Sequence, residues 1–251
     1  MYPRYEIPRK LVFQVAGAVL SGGRRDLHAD AAVCVAALGP ALRVLGGENI
    51  PQVGPALIVM NHYQRPGFKV WWLSLVVSSL LPMQHTWLMS AEWTAPGVWY
   101  EPLKSAASRA LFRKLAGVYG FLLMPPMPPR PQDVAERASS VRGVLSYVEY
   151  VQDPVLCLAP EGRDMPGGVL GRPASGTGRF LSLLAARGLP FVPIGGWEQD
   201  GRLTVHFGPP YRLEATAPPR SKSETRDHAA EDIVMKSIAN LLPESLRGEF
   251  A

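Results

Sequence analysis

A short apolar run that ends in a polar loop, residues 56–68, constrains this chain more than any other stretch. Its apolar part, Ala-Leu-Ile-Val-Met, lies between two turn signals, Gly54-Pro55 and Pro66-Gly67. A run of this length between turn signals is typical of a buried strand. Strands that are buried on both faces occur in sheets covered by helices, so residues 56–60 predict the central strand of an α/β fold.

Three polar residues follow this strand: Asn61, His62 and Arg65. In open α/β sheets, ligands are handled in the loops outside the carboxyl ends of the strands. An imidazole exchanges a proton near neutral pH, so His62 is a candidate general base. The alternative for His62 is an ordinary histidine whose hydrogen bonds are satisfied within the fold. Arg65 either binds a phosphate beside His62 or forms a surface salt bridge.

The rest of the chain alternates between strand and helix patterns. The predicted strands are residues 43–45, 56–60, 85–89, 120–124, 155–159, 191–194 and 203–207. The predicted helices are residues 9–20, 28–39, 68–81, 104–116, 133–151, 175–187 and 228–242. This order predicts an α/β fold with a mostly parallel central sheet and helices on both faces. The alternating polarity of residues 203–207 predicts an antiparallel strand at the edge of the sheet.

Three segments follow from this pattern. Residues 1–40 form N-terminal helices that either pack on the domain or face a membrane. Residues 41–216 form the α/β domain. Residues 217–251 contain a polar linker, residues 217–227, and a C-terminal helix that packs on the same domain.

Charge and composition limit the classes of binding partner and the kinds of site that the chain can have. The 251-residue chain has a net charge of +5, which favours anionic partners. No block rich in Lys and Arg is present, so we expect no nucleic-acid partner. The two cysteines lie far apart in apolar surroundings and the five histidines lack metal-ligand spacing, so we predict neither a disulfide nor a metal site. No apolar run reaches the roughly 18 residues of a transmembrane helix, which predicts a cytoplasmic protein.

A second polar loop, residues 159–163 (Ala-Pro-Glu-Gly-Arg), also follows an apolar strand. Parallel strands would bring this loop and His62 to the same edge of the sheet. A base, a carboxylate and several arginines at one edge suit transfer of a group from a phosphorylated carrier to a hydroxyl. An α/β-hydrolase esterase is excluded because no Gly-x-Ser-x-Gly motif occurs, and no phosphate-binding P-loop is present.

The two loops resemble motifs of the glycerol-phosphate and lysophosphatidate acyltransferases, the PlsC-like family. That family carries Asn-His, four further residues and Asp, and later Pro-Glu-Gly-Thr-Arg-Ser. Here the matches are Asn61-His62 and residues 160–164 (Pro-Glu-Gly-Arg-Asp). Further matches are residues 46–51 (Gly-Gly-Glu-Asn-Ile-Pro), residues 188–194 before and within a Val-Pro strand, and residues 207–210 (Phe-Gly-Pro-Pro). The resemblance covers roughly residues 43–213.

The resemblance implies an activity and a set of site residues. His62, with Asn61 and Glu161, would be catalytic: the imidazole deprotonates an acceptor hydroxyl, which attacks an acyl thioester without a covalent enzyme intermediate. The substrate-binding residues would be Arg65, Gly162, Arg163 and Asp164. The donor would be acyl-CoA or acyl carrier protein, the acceptor a lysophospholipid or glycerol phosphate, and no cofactor is implied. Attachment would be peripheral, on the inner face of a membrane, and the oligomeric state is left open.

Three departures from the family pattern set the open questions. Gly67 stands where the motif has Asp, the Thr of the later motif is missing, and no Arg follows residues 120–124 until Arg130. We predict that Glu161 or Asp164 replaces the missing carboxylate. The alternative is a non-catalytic descendant of the fold that binds lipid or acyl carrier.

An acyl groove and a membrane surface are the last predictions. The candidate groove residues, which could equally be core, are Phe68, Trp71, Trp72 and Leu75. The basic helix 104–116 is either a solvated face or a contact with anionic lipid.

Overall fold

The computed structural model describes residues 3–38, 41–93, 100–127, 130–213 and 224–251. Its strands are β1 (Leu42–Leu45), β2 (Ala56–Met60), β3 (Thr86–Ser90), β4 (Leu122–Met124), β5 (Val155–Leu158), β6 (Phe191–Gln199) and β7 (Arg202–Phe207). In the same ranges the α-helices are α1 (Arg9–Ser21), α2 (Leu27–Ala36), α3 (Trp71–Leu80), α4 (Glu101–Tyr119), α5 (Val134–Tyr150), α6 (Thr177–Ala185) and α7 (Glu224–Ala239).

The strands form one seven-stranded sheet in the order β1-β7-β6-β2-β5-β3-β4. Neighbouring strands are parallel except for β6 and β7, which are antiparallel. The predicted fold class is therefore confirmed. The strand at residues 202–207 is antiparallel as predicted, but its predicted edge position is wrong. Strand β1 pairs in parallel with the outer edge of β7, with Leu42 opposite Leu203, so β1 and not β7 is the last strand on this side of the sheet.

Strand β2 lies inside the sheet with both faces buried. All five of its residues are at most 2% exposed, which explains why its sequence is continuously apolar. Two consecutive glycines of the adjacent strand β6 show that helical segments cover both faces of the sheet. A side chain at Gly196 would collide with Leu73 of α3, whereas one at Gly195 would collide with Leu241, just after α7. Because consecutive strand residues point to opposite faces, α3 and the α7 end cover opposite faces of the sheet.

Most helix boundaries differ from prediction by one to four residues, among them the starts of α3 and α7. Helix α3 begins at Trp71 instead of residue 68, because Phe68 still belongs to a tight turn in which its N–H donates to the Arg65 carbonyl oxygen at 3.0 Å and Gly67 has a φ of +83°. Helix α7 begins at Glu224, so residues 224–227 of the predicted linker are helical instead. Residues 217–223 lie outside the described ranges. None of the described helices is both long enough and apolar enough to cross a bilayer.

Candidate active site

The loops after β2 and β5 meet because these strands are adjacent and parallel, with Val59 opposite Leu158. Asn61 fixes the first loop to the neighbouring strand on the other side. Its buried amide donates from Nδ2 to the Gly196 carbonyl oxygen at 2.9 Å, and its Oδ1 accepts from the Gly196 N–H at 2.7 Å. The structure therefore uses Asn61 to hold the loop in place, with both ends of its side chain engaged.

His62 presents its imidazole at the edge of the sheet. The side chain is 16% exposed, and Nδ1 lies 3.3 Å from Oδ1 of Asp164. The two atoms are close enough for an ion pair when the imidazole is protonated, but their geometry does not meet the criteria for a hydrogen bond. Nδ1 has no hydrogen-bond partner in the described part of the chain. Burial lowers the pKa of His62, and the facing Asp164 carboxylate partly opposes that shift. The lowered pKa favours the neutral imidazole, which is the form that a general base needs.

Glu161 joins the two loops through the backbone. Its Oε2 accepts from the N–H of His62 at 2.5 Å, and its Oε1 accepts from the N–H of Gly171 at 2.8 Å. Burial, with only 1% of the residue exposed, raises its pKa to about 7, although both N–H groups and Arg163 act in the opposite direction. Glu161 thus positions the backbone of His62, while the carboxylate beside the ring belongs to Asp164.

The remaining residues of the second loop are exposed. The carboxylate side chain of Asp164 is 55% exposed, and Arg163 forms no ion pair with any residue that the structure describes. Gly162 has a φ of +62°, and a Cβ atom there would lie 3.0 Å from Cγ of Met127. Because L side chains rarely adopt this φ, glycine suits the turn, which lies between Glu161 and Asp164.

Arg65 is held by a buried carboxylate. Its Nε and one terminal nitrogen contact the two carboxylate oxygens of Glu198 at 2.5 and 2.6 Å, and the Glu198 side chain is fully buried. The hydroxyl of Tyr5 donates to the same carboxylate at 2.7 Å. This cluster ties the His62 loop to the end of β6 and to the N-terminal segment. Phosphate binding by Arg65 stays a prediction.

The predicted groove residues lie mostly in the core. Phe68 and Trp72 are at most 2% exposed, and Leu75 packs against the same core. Trp71 is 39% exposed and stacks on Trp72 with ring centroids 4.8 Å apart. Phe68 and Trp72 are therefore core residues, which is the second of the two interpretations that the sequence allowed.

A cavity of about 170 Å³ lies beyond Gly162, at the carboxyl ends of β3, β4 and β5. Its walls are mainly apolar, among them Leu88, Met124 and Phe180, and Arg137 of α5 is its cationic residue. The sequence did not reveal this site, because its lining comes from distant segments and its apolar residues look like ordinary core. The Met-Pro-Pro-Met run after β4 was the one local signal.

A wider polar cavity of about 650 Å³ lies at the outer end of the sheet. There the buried carboxylate of Glu92 pairs with Arg109 and, at 2.7 Å, with Arg130. Arg130 also contacts Asp133 at 2.5 Å. Arg130, the first arginine after β4, is thus already paired with two carboxylates.

Comparison with known proteins supports the architecture. No family model and no curated protein sequence matches this chain. Among solved structures, the chain is similar to the 1-acyl-sn-glycerophosphate (LPA) acyltransferase PlsC from Thermotoga maritima, with a TM-score of 0.54 and 12% sequence identity. The similarity covers 98% of this chain and 86% of that one. The two proteins share the same α/β fold.

Proposed function

We propose that this protein transfers a fatty acyl group from a thioester donor, acyl-CoA or acyl carrier protein, to the hydroxyl of a lysophospholipid or glycerol-phosphate acceptor. The observation that carries the proposal is the Asp164 carboxylate 3.3 Å from Nδ1 of His62. A histidine–carboxylate pair at the carboxyl edge of a central strand is what base catalysis at a hydroxyl requires. The fold shared with an acyltransferase supports the same reaction.

In the proposed reaction, Nε2 of His62 takes the proton of the acceptor hydroxyl. The acceptor oxygen then forms a bond to the thioester carbonyl carbon, and the resulting tetrahedral intermediate breaks its carbon–sulfur bond. The departing thiolate takes the proton back from the imidazolium, so protons and electrons balance. Asp164 stabilises the imidazolium in between, a role that carboxylates fill in other His-dependent sites. The exposed Arg163 would hold an anionic group of a substrate.

The backbone at position 67 explains why the carboxylate comes from another loop. Gly67 has a φ of +83°, which L side chains rarely adopt, and a Cβ atom there would lie 3.2 Å from a terminal nitrogen of Arg65. An aspartate at this position would be strained. Asp164 approaches the same imidazole from the loop after β5 and needs no side chain at position 67.

Replacing Asp164 with Asn is expected to lower kcat/KM for acceptor-dependent thiol release by about 10²-fold. The corresponding loss in serine proteases is about 10⁴-fold, but there the carboxylate is buried and hydrogen-bonded, whereas Asp164 is half exposed. Removing its charge also lowers the pKa of His62 further, so the part of the acid limb that His62 contributes moves to lower pH. The measurement is free thiol released from long-chain acyl-CoA or acyl carrier protein with a panel of glycerol-phosphate and lysophospholipid acceptors.

Glu149→Gln, an exposed change on α5, is the matched control and should leave the rate unchanged. A wild-type protein that releases thiol with no donor and acceptor pair, yet binds lipid, would instead support the non-catalytic alternative. An Asp164→Asn protein as active as Glu149→Gln would exclude the histidine–carboxylate pair.

We further propose that α1 and α4 contact an anionic membrane surface. The two helices touch, and Nζ of Lys114 on α4 lies 3.5 Å from the Val19 carbonyl oxygen. Their largest exposed apolar side chains are Phe13, Leu20 and Leu103, which are 76%, 82% and 74% exposed. Exposed basic residues on the same helices are Arg9, Lys10, Lys104, Arg113 and Lys114. Apolar side chains that insert among lipid headgroups, surrounded by cations, are typical of interfacial helices.

The double change Phe13→Asp and Leu20→Asp is expected to weaken binding to vesicles containing phosphatidylglycerol by about tenfold or more, because it replaces inserted apolar area with charge. Co-sedimentation with vesicles measures this, and zwitterionic vesicles should bind less well than anionic ones. Tyr150→Asp changes an equally exposed side chain on α5 and serves as the control. Equal binding by the double variant and the control would rule out this surface.

A further inference from the structure

Arg137 lines the cavity beyond Gly162 without a carboxylate partner. Its guanidinium donates to the carbonyl oxygens of Pro125 and Pro126 at 3.1 and 2.8 Å, and it contacts Sδ of Met127 at 3.4 Å. No aspartate or glutamate among the described residues lies within ion-pair distance of it, whereas Arg130 nearby has two such partners. Burial lowers the pKa of Arg137, as expected for a cation in apolar surroundings. Asp133 acts on this charge only from beyond ion-pair distance, so Arg137 has no direct carboxylate partner among the described residues.

The start of α6 adds donors to the same cavity. Ser175, Gly176 and Thr177 all line it, and α6 begins there without a side-chain cap. The first N–H groups of an α-helix have no partner within the helix and favour negative charge. The N–H of Thr177 is taken by the Ala174 carbonyl oxygen at 3.2 Å. The donors at the cavity are therefore the Arg137 guanidinium and the hydroxyls of Ser175 and Thr177 beside the start of α6, which together suit an anion with several oxygens. A phosphate ester fits this set better than a carboxylate, which has two oxygens.

The remaining walls define the rest of the ligand. Leu88, Met89, Met124, Val141 and Phe180 give the cavity an apolar interior, which suits a hydrocarbon chain attached to the anion. The cavity also reaches Gly162, whose neighbour Glu161 holds the backbone of His62. A ligand in the cavity thus lies one strand away from the imidazole, since β5 and β2 are adjacent.

We infer that this cavity binds the phosphate ester of a substrate, with Arg137 as the residue that selects for its charge. The inference rests on the proposed function, because the phosphate belongs to the acceptor headgroup or to the phosphopantetheine part of the donor. Arg137 takes no part in bond making. It holds the anionic end of the substrate while the reacting end lies at His62.

Replacing Arg137 with Met is expected to weaken binding of a short-chain lysophosphatidate by about 10-fold to 100-fold, the range of a charge-assisted hydrogen bond. Binding of a monoacylglycerol with the same chain, which lacks the phosphate, should change less than threefold. Isothermal titration calorimetry below the micelle concentration measures both affinities without turnover. The result is therefore independent of whether the protein proves to be an acyltransferase. Titration with CoA distinguishes the sources: a loss confined to CoA assigns the phosphate to the donor.

Two further variants separate charge from loop support. Arg142→Met removes an exposed arginine from the same helix and should leave every affinity unchanged. Arg137→Lys cannot reproduce the paired bonds to Pro125 and Pro126, but it keeps the positive charge. Because the charge is what we expect to select the phosphate, this variant should retain most of the preference for lysophosphatidate over monoacylglycerol. Two results for Arg137→Met would overturn the inference. One is an equal loss of affinity for lysophosphatidate and for monoacylglycerol, and the other is unchanged affinity for both lysophosphatidate and CoA. Loss of discrimination in Arg137→Lys as complete as in Arg137→Met would show loop support instead, and would overturn it as well.

Discussion

Replacing His62 with Ala is expected to lower kcat/KM for acceptor-dependent thiol release by about 10³-fold to 10⁴-fold, the upper range for loss of a general base. The imidazole is the one group in the described site that stands beside a carboxylate and has a pKa lowered toward the neutral form. Without it, the acceptor hydroxyl keeps its proton and remains a poor nucleophile. The measurement is steady-state thiol release with the best donor and acceptor pair, at a pH where the wild type is fully active.

The variant tests the imidazole alone. Glu161 contacts the backbone N–H of His62, and alanine retains that N–H, so the link between the two loops is preserved. We therefore expect a melting temperature close to that of the wild type. His228→Ala, an exposed change on α7, is the matched control. An alanine variant with more than a tenth of wild-type activity would exclude His62 as the base.

Replacing Glu161 with Gln is expected to lower kcat/KM by about 10²-fold and the free energy of unfolding by about 1–3 kcal/mol. Both carboxylate oxygens accept backbone N–H bonds in a buried site. Glutamine supplies a single oxygen, so its amide group would face one N–H and leave it unpaired. The backbone of His62 then loses its fixed position. Urea unfolding and thiol release together measure the two effects, and wild-type values for both would show that the buried bonds contribute little.

Because the pKa of Glu161 is raised, the glutamine variant also tests how the stability of the protein depends on pH. Its folded-state pKa of about 7 lies above the ordinary value of 4.5, so between these values the folded protein holds a proton that the unfolded chain releases. This group therefore contributes stability that is fully present below pH 4.5 and is lost as the pH rises through 7. The glutamine variant should lack that slope.

Activity should depend on pH in the opposite direction. Both oxygens of Glu161 accept N–H bonds only when the carboxyl is ionised, so wild-type activity should rise as the pH passes 7. In the glutamine variant, the remaining acid limb should be that of His62, below pH 6.5 because burial lowers its pKa. A limb near pH 7 that persists in the variant would assign it to another group.

The sequence was sufficient to predict the elements that local patterns determine. The continuous apolar run of residues 56–60 predicted the buried strand β2, and the two motif loops predicted which polar side chains lie at its end. The edge position of residues 202–207 was mispredicted, because four-residue β1 carries little pattern of its own and its pairing depends on contacts far away in the chain.

Residue roles within the site depended on geometry that no pattern contains. The sequence offers Glu161 and Asp164 equally as replacements for the missing carboxylate. In the structure, Glu161 contacts the backbone of His62 and Asp164 faces its ring, and the left-handed turn at Gly162 lies between them. Apolar residues look alike in a core and in a groove, so Phe68 and Trp72 could not be assigned from composition. The partner of Arg65 lies 133 residues away, which no local signal reveals.

The hydrogen bond from Tyr5 to Glu198 has a practical consequence for anyone who shortens this protein. A version that starts at α1 would lack Tyr5, and with it the ring whose centroid lies 5.0 Å from that of Phe68, beside the loop that carries His62. Inactivity of such a version would be ambiguous, since the loop itself would have lost a support. Purification tags are therefore best separated from the first residues by a cleavable spacer, and catalytic comparisons are best made on chains that retain residues 3–8.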